Sequence, residues 1–233
     1  MNFLPRLYAI LDVEALAVRG LDARTVYRGW LDAGVRLIQL RAKTLPSGAL
    51  FELARELSAG ARDAGATFIL NDRAGLARMA GATGVHVGQT DLPPSEVRKV
   101  LGPDAVVGLS THSETELDGA MHEPVDYVAV GAVFQTSIKG PAHPTVGLDF
   151  VRHAAALGAR HAKPIVAIGG ITIETAATVI DAGAASVAVI TDLLVGDPGE
   201  RARQYLSVLS RYNAPPATGA AAAAGPPPRK DGA

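Results

Sequence analysis

Cysteine is absent from the 233 residues. Thiol catalysis, iron–sulfur clusters and disulfides are therefore excluded, and the composition fits a reducing compartment. A large charge of one sign is also missing. The formal net charge is −1, so nothing points to nucleic acid or an acidic membrane surface as a partner. No apolar run approaches the length of a membrane span. The first twenty residues hold Arg6, Asp12, Glu14 and Arg19, which interrupt any apolar signal core. These absences lead to the expectation of a soluble, cytoplasmic protein that neither enters a membrane nor binds nucleic acid. The sequence leaves the oligomeric state, including a homo-oligomer, open.

What is present is a repeating pattern. Hydrophobic residues make up 48% of the chain, enough for one large core. Short β-branched runs recur at 7–11, 36–40, 67–70, 84–87, 105–109, 127–130, 164–168 and 186–190. Most are too short for helices and are bounded by Gly, Asp or Pro. Between them lie amphipathic stretches at 22–33, 47–65, 74–80, 94–101, 113–121, 148–158, 172–181 and 199–211. The clearest, 47–65, places Leu50, Leu53, Ala54 and Leu57 on one stripe. The triplet Asp-Ala-Gly closes three of the stretches, at 32–34, 63–65 and 181–183, with glycine where a helix usually stops. Eight strands alternating with eight helices predict a single (β/α)8 TIM barrel over 1–212, with an open doubly wound sheet as the rival fold. From Asn213 the composition shifts to Ala, Pro and Gly, which predicts a disordered tail over 213–233.

A barrel of this kind works at the C-terminal ends of its strands. Those ends carry a particular chemistry. After the second strand, Gln39, Arg41 and Lys43 alternate with Ile38, Leu40 and Ala42. The apolar set must face the helices, so two cations and an amide face the barrel mouth. The third strand ends in Asn71-Asp72, and the fourth runs through Gly88 to Asp91. The fifth ends in Ser110-Thr111-His112, where Ser110 serves equally well as a helix cap. The sixth enters a long loop containing Thr136, Ser137, Ile138 and Lys139. The seventh ends in Gly169-Gly170, and the eighth in Ile190-Thr191-Asp192, read as opening the last helix. A glycine pair and a helix start at these two positions suit a phosphate. His86 reads as a hydrogen-bonded core histidine, and His122, His143, His153 and His161 as surface residues. Two carboxylates, three cations and no soft ligand suit Mg²⁺ shared with substrate phosphates.

The series QLRAK (39–43), LND (70–72), GVHVGQTD (84–91), GLSTH (108–112), TSIK (136–139) and AIGGI (167–171) resembles the thiamine-phosphate synthase family, in register over about 7–210. The resemblance implies a Mg²⁺-dependent transferase of thiamine biosynthesis. Such an enzyme joins a small phosphorylated pyrimidine, 4-amino-2-methyl-5-(diphosphooxymethyl)pyrimidine, to a thiazole phosphate and releases pyrophosphate. It implies pyrimidine-diphosphate contacts at Gln39, Arg41, Lys43, Asn71, Ser110 and Lys139, with Arg41, Lys43, Ser110 and Lys139 catalytic. It implies thiazole-phosphate contacts at Thr136, Ser137, Ile138, Gly170, Ile190 and Thr191, and metal ligands at Asp72 and Asp91. One departure is Ile138, where the family usually has a hydroxyl before the loop lysine. Two rival readings are a related thiazole tautomerase, whose loop histidine is replaced here by Ala132, and a non-catalytic phosphate-binding barrel.

Overall fold

The computed structural model describes residues 4–136 and 145–212. Eight parallel strands close into one barrel in chain order: β1 (Leu7–Asp12), β2 (Leu37–Arg41), β3 (Thr67–Asn71), β4 (Gly84–Val87), β5 (Val106–Thr111), β6 (Tyr127–Val130), β7 (Ile165–Ile168) and β8 (Ser186–Val189). Closure is made by β8 on β1, where Leu7 lies beside Val187 and Ala9 beside Val189. The closed sheet rules out the open doubly wound alternative.

Alternation along each strand sorts the side chains into two cores. Leu7, Ala9 and Leu11 join Ile38, Leu40 and Ala42 in the large layer between sheet and helices. Tyr8, Ile10, Leu37, Ile69, Tyr127, Ala129, Val166 and Ala188 fill the barrel interior. Helices α2 (Ala23–Ala33), α3 (Ser47–Asp63), α4 (Ala74–Ala80), α5 (Pro94–Leu101), α6 (Glu114–Ala120), α7 (Gly147–Arg160), α8 (Ile173–Asp181) and α9 (Pro198–Leu209) cover the outside. The stripe predicted on 47–65 is the buried face of α3: Leu50, Leu53, Ala54 and Leu57 are all inside.

The helix pattern departs from the sequence reading in three places. A six-residue helix α1 (Val13–Val18) follows β1 at once, capped by the Asp12 side chain, which accepts from Ala15 N at 2.8 Å. It is too short for periodicity to reveal. Thr191 does not open the last helix: Thr191–Leu194 is a separate 3-10 turn, and α9 starts at Pro198 behind an Asp197 cap. Proline is favoured in a first turn and cannot continue a helix from upstream, which separates the two. Ser110 lies on β5, and the cap of α6 is Ser113, which accepts from Glu116 N. The tail from Asn213 lies outside the described residues.

Gly108 is required by the interior. It pairs with Tyr127 across the β5–β6 ladder, and a Cβ placed there would lie 2.1 Å from the Tyr127 ring. Tyr127 is fully buried and hydrogen-bonded to Tyr8 and His86, so it has nowhere to go. Gly108→Ala is therefore expected to destabilise the fold by at least about 1–3 kcal/mol, the ordinary cost of overpacking. A thermal melt should fall by several degrees. Adding Tyr127→Phe should not restore it, because the clash is with the ring and not only with the hydroxyl.

Candidate active site

A cavity of about 590 Å³ opens at the C-terminal ends of the strands. Its floor and one side are small and apolar, formed by Ala129, Ala132, Val166, Ile168, Ala188 and Ile190. The opposite side carries Gln39, Arg41, Lys43, Asn71, Asp72, Asp91 and Ser110. One wall thus suits the face of a heterocycle, and the other suits a polyanion with its counterions.

Arg41 and Lys43 do face the mouth, as alternation requires, but neither is unpaired. The β1–β2 register sets Asp12 directly beside Arg41. Asp12 Oδ2 accepts from Arg41 Nη1 at 2.5 Å, and Asp12 is only 2% exposed. Glu14, brought round by α1, lies 3.8 Å from the same guanidinium nitrogen. Its other oxygen accepts from the Thr44 backbone N at 2.8 Å and from the Thr44 hydroxyl at 2.9 Å. Two carboxylates therefore hold both the guanidinium and the strand end that carries it. Asp12 and Glu14 are not among the residues that the sequence motifs single out. The same strand-end logic, applied to the first strand, points to Asp12.

Asp72 stands just past β3 with φ of +63°, a left-handed conformation that Asp tolerates better than most residues. Its carboxylate lies 3.4 Å from Lys43 Nζ. Asp91 bends back over the end of β4, and its Oδ2 accepts from Gly88 N at 2.8 Å. A Cβ at Gly88 would sit 3.2 Å from that oxygen, which explains the small residue there. Burial raises the pKa of Asp72, the neighbouring Asp91 carboxylate raises it further, and Lys43 acts in the opposite sense.

A raised carboxylate is bound to its proton more tightly in the folded protein than in the unfolded chain. It therefore costs stability progressively as pH climbs through the folded value. Asp72→Asn removes that titration. The metal-free variant should melt above the wild-type protein at pH 7, and the gap should close as pH falls below the ordinary carboxylate range. Melting curves across pH check this; a variant that melts lower at pH 7 would mean that the contact with Lys43 outweighs the repulsion.

His86 is buried, and both ring nitrogens are hydrogen-bonded, as expected of a core histidine. His112 bonds to Glu116, and both line the cavity. Thr136 and Ile190 also line it. Gly169 does so in place of Gly170, and Thr191 does not. Gly169 and Gly170 both have positive φ and pack on the loop after β6, where a Cβ on Gly170 would be 2.3 Å from Gln135 O. The turn after β7 is tied to the one after β8 by Asp192, whose Oδ2 accepts from Ile173 N at 3.1 Å. Arg201 and Tyr205 hold that carboxylate from α9. Ser137, Ile138 and Lys139, together with His143, lie outside the described residues. Among the described residues, no three His, Cys, Asp or Glu side chains cluster as a metal site, so a cation held by Asp72 and Asp91 would draw its other ligands from substrate and water.

A closed (β/α)8 barrel with a charged wall, an apolar floor and a glycine turn at its mouth defines an enzyme acting on phosphorylated small molecules. The family model described as thiamine monophosphate synthase matches residues 7–193. The chain is 48% identical over 208 residues to a thiamine-phosphate synthase of Koribacter versatilis, covering 88% of this chain and 96% of that one. It is 43% identical to a thiamine-phosphate synthase of Moorella thermoacetica over 82% of this chain and 90% of the relative. Among solved structures, a thiamine phosphate pyrophosphorylase from Pyrococcus furiosus superposes with a TM-score of 0.79 at 26% identity, over 90% of this chain and 97% of that one. The chain belongs to the thiamine-phosphate synthase family.

Proposed function

We propose that the protein is a thiamine-phosphate synthase, joining 4-amino-2-methyl-5-(diphosphooxymethyl)pyrimidine to a thiazole phosphate. The observation that carries this reading is one cavity with two polarities: Asp72, Asp91, Arg41 and Lys43 on one wall, and an apolar floor facing them. In the reaction, the bond between the pyrimidine methylene carbon and the diphosphate oxygen breaks, and the oxygen leaves with the electron pair. The thiazole nitrogen then supplies its lone pair to the same carbon. The aminopyrimidine ring delocalises the positive charge between these events, so no general base is required.

The protein's part is positioning and charge. Arg41, oriented by Asp12, and Lys43 stabilise the departing pyrophosphate. Ile168, Ala188 and Ile190 shape the floor on which the heterocycles stack. The Gly169-Gly170 turn, with Thr136, receives the thiazole phosphate. The pair Asp72 and Asp91 fits a hard divalent cation, because two adjoining carboxylates repel one another and Lys43 answers only one of them. Mg²⁺ bound there would supply a Lewis acid for the pyrophosphate oxygens.

The reading is tested with purified protein and both phosphorylated substrates, following thiamine phosphate. Formation should need both substrates, stop with EDTA and return with excess Mg²⁺. Product formed at an undiminished rate in EDTA would overturn the metal assignment. The absence of product under every condition would overturn the synthase reading.

A further inference from the structure

A continuous chain of hydrogen bonds crosses the barrel at the cavity, and all its members except Tyr127 line it. Gln39 Nε2 donates to Tyr8 Oη at 2.7 Å, and Tyr8 Oη meets Tyr127 Oη at 2.9 Å. Tyr127 Oη meets His86 Nδ1 at 2.9 Å, and His86 Nε2 meets Ser110 Oγ at 2.8 Å. The strand register places these groups: His86 lies beside Gly108 and Asn71, and Tyr127 beside Gly108. Both phenols are fully buried, and burial raises their pKa well above the ordinary value, so both keep their protons.

Counting donors gives the chain a direction. With Tyr8 accepting from the Gln39 amide, the order in which each member accepts one bond and donates the next sends the Tyr8 proton to Tyr127. Tyr127 must then donate to His86 Nδ1. A neutral imidazole that accepts at Nδ1 carries its proton at Nε2, and it gives that bond to Ser110. The Ser110 hydroxyl, accepting from below, has its own proton left for the cavity that it lines. At the other end, Gln39 Oε1 is left as an acceptor, on the wall that it shares with Arg41 and Lys43. That polarity suits the cations.

We infer that Tyr8, Tyr127 and His86 are positioning residues that fix the proton order between Gln39 and Ser110, so that the Ser110 proton is turned to substrate as a donor and Gln39 presents Oε1 to it as an acceptor. The catalytic meaning rests on the synthase reading. Ser110 then takes an acceptor atom of the pyrimidine diphosphate, a ring nitrogen or a phosphate oxygen, and Gln39 Oε1 takes an N–H of its amino group. An analogue with these two polarities exchanged binds more weakly, because the buried chain cannot reverse without the amide turning over.

The direction is read on the substrate-free protein by ¹⁵N NMR of its histidines, with the His86 signals assigned by their loss in His86→Asn. The expected result is a neutral ring protonated at Nε2, with Nδ1 at the shift of an unprotonated acceptor. A ring protonated at Nδ1, or at both nitrogens at neutral pH, overturns the inference. Gln39→Glu, measured where its carboxylate is ionised, replaces the donor by an acceptor and should drive the His86 proton to Nδ1. Tyr127→Phe should abolish that response, and an unchanged tautomer in Gln39→Glu overturns the coupling. In the assay, Tyr127→Phe should lower kcat/KM for the pyrimidine diphosphate roughly three- to tenfold, the loss expected for one misdirected hydrogen bond, with the thiazole KM unchanged. Ser110→Ala in the Tyr127→Phe background should cost little more; losses that multiply would show that Tyr127 does not act through Ser110. The NMR result stands or falls independently of whether the protein makes thiamine phosphate, so failure of one reading is distinguishable from failure of the other.

Discussion

Asp91→Asn should fold as the wild-type protein does and lose nearly all turnover. The side chain keeps its shape, and the amide oxygen can still accept from Gly88 N as Asp91 Oδ2 does. What disappears is a negative charge beside Asp72. Removing residues that merely orient a metal ligand costs roughly 10–100-fold in affinity or activity, so loss of a ligand itself should reach the upper end or beyond. The signature is a rate that rises with Mg²⁺ far above the concentration that saturates the wild-type enzyme. Mg²⁺ should also raise the wild-type melting temperature by mass action and leave that of Asp91→Asn nearly unmoved. Wild-type turnover by Asp91→Asn at limiting Mg²⁺ would return this carboxylate to the role of a turn residue closing on Gly88.

Arg41→Ala should fail twice, once in catalysis and once in stability. A charge-assisted hydrogen bond to the departing pyrophosphate is worth roughly 1.5–3 kcal/mol. At ~1.4 kcal/mol per decade, kcat should fall about tenfold or more. The stability loss comes from Asp12, whose buried carboxylate would keep its bond from Ala15 N and lose its cation. Stranding a buried charge costs roughly 3–5 kcal/mol. Arg41 is about one-fifth exposed, so the lower end is expected. The two losses separate in the double variant Arg41→Ala/Asp12→Asn. Asparagine keeps the helix cap and removes the charge, so the melting temperature should largely recover while turnover stays low. If the double variant melts no higher than Arg41→Ala, the destabilisation lies in lost packing of the arginine stem, not in the stranded carboxylate.

The sequence by itself determined the repeating unit and the two-faced character of each strand. Alternation is local: a residue two along points the same way whatever the sheet does next. For that reason Gln39, Arg41 and Lys43 could be assigned to the mouth, and Ile38, Leu40 and Ala42 to the helices, from the sequence alone. Polar residues after apolar runs marked the working end of the barrel for the same local reason. Asp72, Asp91, Asn71 and Ser110 were found there, and the structure brings all four to one cavity.

Tertiary structure decided who meets whom. Arg41 has Asp12 as its partner because the β1–β2 register sets them side by side, and register is a property of two strands, which neither one encodes alone. The turn after β8 was misread as a helix start because strand-end composition does not separate a 3-10 turn from an α-helix, and the Asp197-Pro198 cap further on carried the actual start. The chain from Gln39 to Ser110 joins β1, β2, β4, β5 and β6 through the barrel interior. Its members are separated by up to 119 residues in sequence. Only closure of the sheet packs two tyrosines and a histidine into one buried cluster, where each finds a hydrogen-bond partner in another.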